Sequence, residues 1–144
     1  MFDSVLMVCA GNICRSPTAE YLLKSKLEGK NIEVSSAGLT ALAGKSADNM
    51  AQKLANEHGI DMSAHQGRQL TASVVSENSL ILVMEHRHMT DLCGRFPQAR
   101  GKTFLLGKWI GDKEIPDPYR QSREAFEHVY GLIESACSAW QQYL

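Results

Sequence analysis

No apolar run in the sequence approaches the roughly 18 residues that a membrane span requires, so membrane insertion is not expected. The opening Met1-Phe2-Asp3-Ser4 carries no basic residue, and the apolar stretch behind it is too short for a secretory signal. Four cysteines in 144 residues are too few for a disulfide framework, which points to a reducing, cytoplasmic compartment. Neither charge sign dominates: 15 Lys and Arg against 16 Asp and Glu leave a net charge of −1. That balance is not the footprint of a nucleic-acid binder or of a protein held on an anionic membrane. Internal repeats, low-complexity tracts and long linkers are also missing, and the collagenous class is excluded. What remains is a chain of ordinary globular composition, read as a single domain over residues 1–144 and long enough to bury a core.

The apolar residues fall into two patterns. Val5-Leu6-Met7-Val8, Leu80-Ile81-Leu82-Val83-Met84 and Phe104-Leu105-Leu106 are short continuous runs, as in strands buried on both faces. Ile32-Glu33-Val34 reads as a weaker fourth strand. Between them Ala19, Leu22, Leu23 and Leu27 supply one helix, closed near Gly29. Ala47, Met50, Ala51, Leu54 and Ala55 recur at helical spacing up to Gly59. Phe126, Val129, Tyr130, Ile133, Ala136 and Trp140 repeat the pattern near the C-terminus. Strands alternating with helices predict an α/β fold, a parallel sheet with helices on both faces. In such sheets ligands bind beyond the carboxyl ends of the strands.

The loop after the first strand reads Cys9-Ala10-Gly11-Asn12-Ile13-Cys14-Arg15-Ser16-Pro17. Ser16 suits an N-cap and Pro17 the first helical turn, so a helix is predicted to begin there. Its free N–H groups and dipole favour an anion in the loop. Gly11 and Asn12 enter left-handed backbone most easily, and such mixing turns successive amides inward as an anion nest. Arg15 adds a planar fork that matches two phosphate oxygens. Every feature that attracts a phosphate there also favours a thiolate, which makes Cys9 the candidate nucleophile. A buried strand-end cysteine beside a surface arginine is the bland alternative, and it leaves the Gly, the Asn and the helix start unexplained.

Cleavage of a phosphate ester also needs a proton for the leaving oxygen. Asp117, in Ile115-Pro116-Asp117-Pro118-Tyr119-Arg120, sits on a stretch stiffened by two prolines, as a general acid requires. The same Asp-Pro pair equally fits a helix N-cap. Tyr119 reads either as an aromatic wall for a ring-bearing substrate or as loop packing. Cys14, five residues from Cys9, matches neither a zinc nor a redox spacing. A protective disulfide with Cys9 and inert burial both stay open. Cys93 and Cys137 fall on predicted helices and read as core. His86 and His88, two apart, cannot face one ligand from a helix, and His58 and His65 have no sequence partner, so no metal is expected. Gly38 to Gly44-Lys45-Ser46 has five residues between its glycines where a nucleotide loop has four, and is predicted to be an ordinary loop.

On Cys9 to Pro17, Ser35-Ser36-Ala37-Gly38, Arg68-Gln69 and Asp117-Pro118-Tyr119, the sequence resembles the low-molecular-weight protein tyrosine phosphatases over essentially its whole length. The resemblance implies a three-layer αβα fold with a four-stranded parallel sheet. It implies Cys9 as a nucleophile forming a phosphocysteine, Arg15 and the loop amides of residues 10–16 (Ala10, Gly11, Asn12, Ile13, Cys14, Arg15, Ser16) as the phosphate cradle, and Asp117 as acid and then base. It further implies that Asn12 shapes the loop together with Ser36 and His65, and that Ser16 donates to the thiolate. Leu39 and Tyr119 would line the cleft and sandwich the substrate ring. No cofactor and no metal are implied.

Where some members carry a second tyrosine after Tyr119, this chain has Arg120, which argues against regulation by phosphorylation there. The wider similarity, including Arg100-Gly101-Lys102, looks like the bacterial members paired with membrane tyrosine autokinases of capsule or exopolysaccharide export. A phosphotyrosine segment of such a kinase would be the partner. Two rivals stand beside this reading: a thiol-dependent arsenate reductase of the same fold, and a non-catalytic phosphotyrosine-binding module. The first needs a second close cysteine pair, which the sequence lacks. The second would be expected to have lost Cys9 or Asp117.

Overall fold

The structure is a computed structural model and describes residues 2–144; Met1, the first residue of the N-terminal opening considered above, lies outside the described residues. Four strands, β1 (Ser4–Cys9), β2 (Glu33–Gly38), β3 (Leu80–Val83) and β4 (Thr103–Leu105), form one parallel sheet in the order β2-β1-β3-β4. Five helices accompany them: α1 (Arg15–Lys26), α2 (Asn49–Glu57), α3 (Ala72–Ser76), α4 (His86–Arg95) and α5 (Arg123–Gln141).

Alternation along the central strands builds the two cores. Val5, Met7 and Cys9 of β1, with Leu80 and Leu82 of β3, pack with the apolar faces of α1, α2 and α5. Leu6, Val8, Ile81 and Val83 point the other way, onto Val74 and Val75 of α3 and Leu92 of α4. Both faces of β1 and β3 are therefore covered, which is why their sequences are uninterrupted apolar runs. The expected three layers are present, and Gly29 and Gly59 follow α1 and α2 with φ of 86° and 79°.

Two elements differ from the reading of the sequence. β2 is no minor strand: its six residues pair with β1 along their full length, from Ser4 opposite Glu33 to Cys9 opposite Gly38. Its later part looks unlike a buried strand because Ser35 and Ser36 interrupt the apolar pattern, and Ser36 gives its hydroxyl to Glu20 of α1. The helix expected to open at a Ser16 cap begins instead at Arg15, with Cys14 in the capping position and no side-chain cap. Ser16 is buried inside the first turn, where its hydroxyl has another task.

Gly38 is required by proximity rather than by a left-handed backbone. A Cβ there would lie 2.5 Å from the Ala10 carbonyl oxygen and 3.1 Å from Ala41. The end of β2 thus touches the backbone of the loop after β1. Gly38→Ala is expected to cost about 2–3 kcal/mol of stability and to disturb that loop. Gly94→Ala on α4, where an added Cβ meets nothing within 4 Å, is expected to gain about 0.5–1 kcal/mol. Urea unfolding midpoints of the two variants check both signs.

Candidate active site

The loop between β1 and α1 is held from outside, carbonyl by carbonyl. The Cys9, Ala10 and Gly11 oxygens each accept a backbone N–H at 3.0 Å, from Leu39, Thr40 and Leu42 respectively. The Asn12 oxygen accepts from His65 Nε2 at 2.7 Å. The Ile13 oxygen accepts from the Asp48 amide at 2.8 Å, and Cys14 oxygen from the Thr18 amide and hydroxyl. A trans peptide directs each N–H opposite to the preceding carbonyl, and no peptide among the described residues is cis. With the six oxygens bonded outward, the amides of residues 10–15 turn into the loop. Asn12 makes the reversal, with φ of 59°. Gly11, expected together with Asn12 to enter left-handed backbone, does not take a positive φ.

The side chain of Asn12 then orders Cys9, the candidate nucleophile. Its Oδ1 accepts the Arg68 amide at 2.9 Å, so its amide group must point the other way and donates to Ser16 Oγ at 2.7 Å. Ser16, already an acceptor, is left to donate its proton to Cys9 Sγ, 2.9 Å away. The Asn12 backbone N–H approaches the same sulfur at 3.4 Å. Two donors converge on Sγ. The cysteine is buried at the end of β1, yet its sulfur belongs to a cleft of about 250 Å³.

Arg15, only 2% exposed, is fixed by one nitrogen. Its NH1 donates to Glu85 Oε2 at 2.5 Å and to the Ile115 carbonyl at 2.8 Å, while NH2 lies 3.9 Å from Asp117 Oδ2. Ile115 itself is buried and its amide bonds the Met84 oxygen, which ties the following loop to the end of β3. That loop presents Asp117, whose side chain is about half exposed at 47%. Asp117 caps no helix: α5 is capped by Ser122, and Asp117 Oδ1 accepts the Tyr119 amide at 3.0 Å. Tyr119 lines the cleft with Thr40 and Leu42, and the Arg120 guanidinium lies 5.1 Å from the centre of the Tyr119 ring.

Several expected residues sit elsewhere. Leu39 is not on the cleft wall; it is buried in the core beneath α3 and α4, and Leu42 takes the wall. Ser36 does not bond Asn12. Its hydroxyl donates to Glu20 Oε1 at 2.5 Å, and its carbonyl accepts Arg68 Nε at 3.2 Å, so it reaches the loop through Arg68. His65 does reach the loop directly. Burial pushes the Cys14 thiol up, with the charges of Asp48, Asp117 and Cys9 adding to it, so Cys14 stays protonated. Glu20, Asp48 and Glu85 were missed. Glu85 was findable: it follows β3 directly, at the strand ends where such sheets bind ligands.

Two groups near Arg15 set an acid limit to stability. Burial opposes charge on Glu85, but Arg87 and then Arg15 outweigh it and hold its carboxyl at about 2. Burial, aided by the charge of Arg15, pushes buried His88 down to about 4. The fold therefore prefers neutral His88, and that contribution is lost as pH falls from about 6.5 to 4. The Glu85 contribution is lost lower, between about 4.5 and 2. Folding stability is expected to drop by up to about 3 kcal/mol from pH 6.5 to pH 4 through His88, and His88→Asn to flatten that limb. Urea titrations across the range measure it; parallel profiles would remove His88 from the account.

The geometry agrees with what the chain is similar to. The family model of low molecular weight phosphotyrosine protein phosphatase matches residues 4–144. AmsI of Erwinia amylovora, named a probable low molecular weight protein-tyrosine-phosphatase, is 51% identical over 140 residues, covering 97% of this chain and 96% of that protein. Etp of Escherichia coli K12, a low molecular weight protein-tyrosine-phosphatase, is 48% identical over 99% of this chain and 95% of its own. Among solved structures, Vibrio vulnificus Wzb in complex with benzylphosphonate superposes with a TM-score of 0.96 at 51% identity, covering all of both chains. The chain belongs to the low molecular weight phosphotyrosine protein phosphatase family.

Proposed function

We propose that the protein hydrolyses phosphotyrosine through a phosphocysteine, with Cys9, Arg15 and Asp117 as its catalytic residues. The observation that carries this reading is the pair of donors on Cys9 Sγ, from Ser16 and the Asn12 amide, inside the cleft that Arg15 and Asp117 share. The inward amides of residues 10–15 and the free side of the Arg15 fork hold the three phosphoryl oxygens. Cys9 attacks phosphorus as the P–O bond to the ring breaks, and the tyrosyl oxygen leaves with the proton of Asp117. Asp117, now a carboxylate, takes a proton from water. The resulting oxygen displaces Cys9 from phosphorus, which frees phosphate and restores the thiolate. Tyr119, Thr40 and Leu42 flank the ring.

The physiological substrate on this reading is a phosphotyrosine segment of a membrane tyrosine autokinase of capsule or exopolysaccharide production, which this protein meets in the cytoplasm. Support comes from the sequence likeness to the bacterial members, since nothing in the cleft names one protein. Arsenate reduction is disfavoured by placement: Cys93 lies on α4 and Cys137 on α5, on opposite faces of the sheet, so no relay joins them to Cys9. Burial holds the Cys137 thiol up at about 12, further from redox use. A purely binding role would leave the Ser16–Cys9 contact without purpose.

A quenched turnover of a phosphotyrosine peptide tests the proposal. Wild type is expected to release phosphate and carry a phosphoryl adduct on Cys9 by mass spectrometry, and Cys9→Ser to bind phosphate without turnover. Residual turnover by Cys9→Ser near that of wild type would remove Cys9 as the nucleophile. Asp117→Asn is expected to lower kcat by about 10²–10³ on phosphotyrosine, and by less on an ester whose leaving group needs no proton. Equal losses on both esters would deny Asp117 the acid role.

A further inference from the structure

His88 has a buried donor that nothing accepts. Its ring is 2% exposed, and Nδ1 accepts the Glu85 backbone N–H at 3.2 Å. An amide can only donate, so the imidazole proton resides on Nε2. That Nε2 is one of two buried side-chain polar atoms without a hydrogen-bond partner among the described residues; the other is the Tyr130 hydroxyl. Unpaired buried donors are costly and uncommon. Glu85 Oε2 stands 3.6 Å away, just beyond reach.

The same oxygen is held by Arg15 NH1 at 2.5 Å, and Arg87 grips both carboxylate oxygens, at 3.0 and 3.2 Å. Arg15 has a second anchor on NH1, the Ile115 carbonyl. Its guanidinium can therefore keep its place if Glu85 lets go. Arg87 is 67% exposed and free to follow the carboxylate.

We infer that Glu85 Oε2 passes from Arg15 to the Nε2–H of His88 when an anion fills the loop, which makes His88 a positioning residue for Arg15. A dianion in the loop draws on the charge of Arg15 and weakens its claim on Glu85. A carboxylate shift of less than about 1 Å then closes the contact with His88 to hydrogen-bond length. The imidazole is suited to this because burial keeps it neutral, a donor that adds no second positive charge beside Arg15. Linkage makes the effect mutual: if the anion strengthens the His88–Glu85 bond, that bond strengthens anion binding. The inference rests on the phosphate reading of the loop and adds a residue to it.

The test is a titration of the wild-type protein with inorganic phosphate, followed by proton–nitrogen correlation spectra of the backbone and the histidine rings. The loop amides and the His88 Nε2–H are expected to shift together with one Kd, the ring proton moving downfield. Two variants separate the roles. Asn at position 88 places an acceptor where Nδ1 was but removes the donor, and His88→Asn is expected to bind phosphate about fivefold more weakly. It should also raise KM for a phosphotyrosine peptide by more than it lowers kcat. His88→Gln, with a donor where Nε2 was, is expected to recover most of the affinity. Loop amides that saturate while the His88 ring proton stays still would overturn the hand-over. Loop amides that ignore phosphate would overturn the anion site itself, and this inference with it.

Discussion

The site depends on the outward capture of the loop carbonyls between β1 and α1. A chain of peptide dipoles with its N–H groups on one side is not a state the backbone prefers by itself. It persists here because β2's extension, the α2 cap residue Asp48, the imidazole of His65 and the first turn of α1 each hold an oxygen. Four separate stretches of the chain thus fix the direction of one six-residue loop. The electrostatic environment is built before any ligand arrives, so no reorganisation is needed when charge appears.

Asn12 is where backbone and side-chain roles meet. Its positive φ turns the loop, its carbonyl is pinned by His65, and its amide group relays orientation from Arg68 to Ser16 and so to Cys9. Because each link has a fixed donor and acceptor, the chain has only one consistent direction, and it ends on sulfur. On the other flank, Arg15 is a charge almost out of water. It is tolerable because Glu85 and the Ile115 carbonyl compensate it, and the compensation uses one nitrogen, leaving the rest of the fork for the loop. Ile115 also ties the Asp117 loop to β3, so the acid candidate and the arginine are positioned by one residue.

Much of this was legible in the chain. The continuous runs of β1 and β3 announced strands buried on both faces, and the spacing along α2 and α5 announced helices. Cys9, Arg15 and Asp117 stood out because a strand, a Gly-Asn loop and a helix start adjoined them. Other features were read wrongly for definite reasons. β2 looked weak because Ser35 and Ser36 interrupt its apolar pattern. Ser16 looked like a cap because a serine before a proline usually is one. Leu39 was expected on the wall because its place in the sequence says nothing of which side of the strand end it turns to; three residues on, Leu42 faces the cleft instead.

Local order alone determined the sheet, the helices and the composition of the loop, since periodicity and turn chemistry act over a few residues. Only the tertiary structure decided which groups complete the site. Glu85, Arg68 and His65 are 70, 53 and 50 residues from Arg15, from which they carry no sequence mark of partnership. Glu85 is brought to it because a parallel sheet gathers the carboxyl ends of its strands at one edge, and Arg68 and His65 because the segment between α2 and α3 pairs with Gly38 at the end of β2. Hydrogen-bond direction and burial are properties of that gathering, and no stretch of the chain holds them in advance.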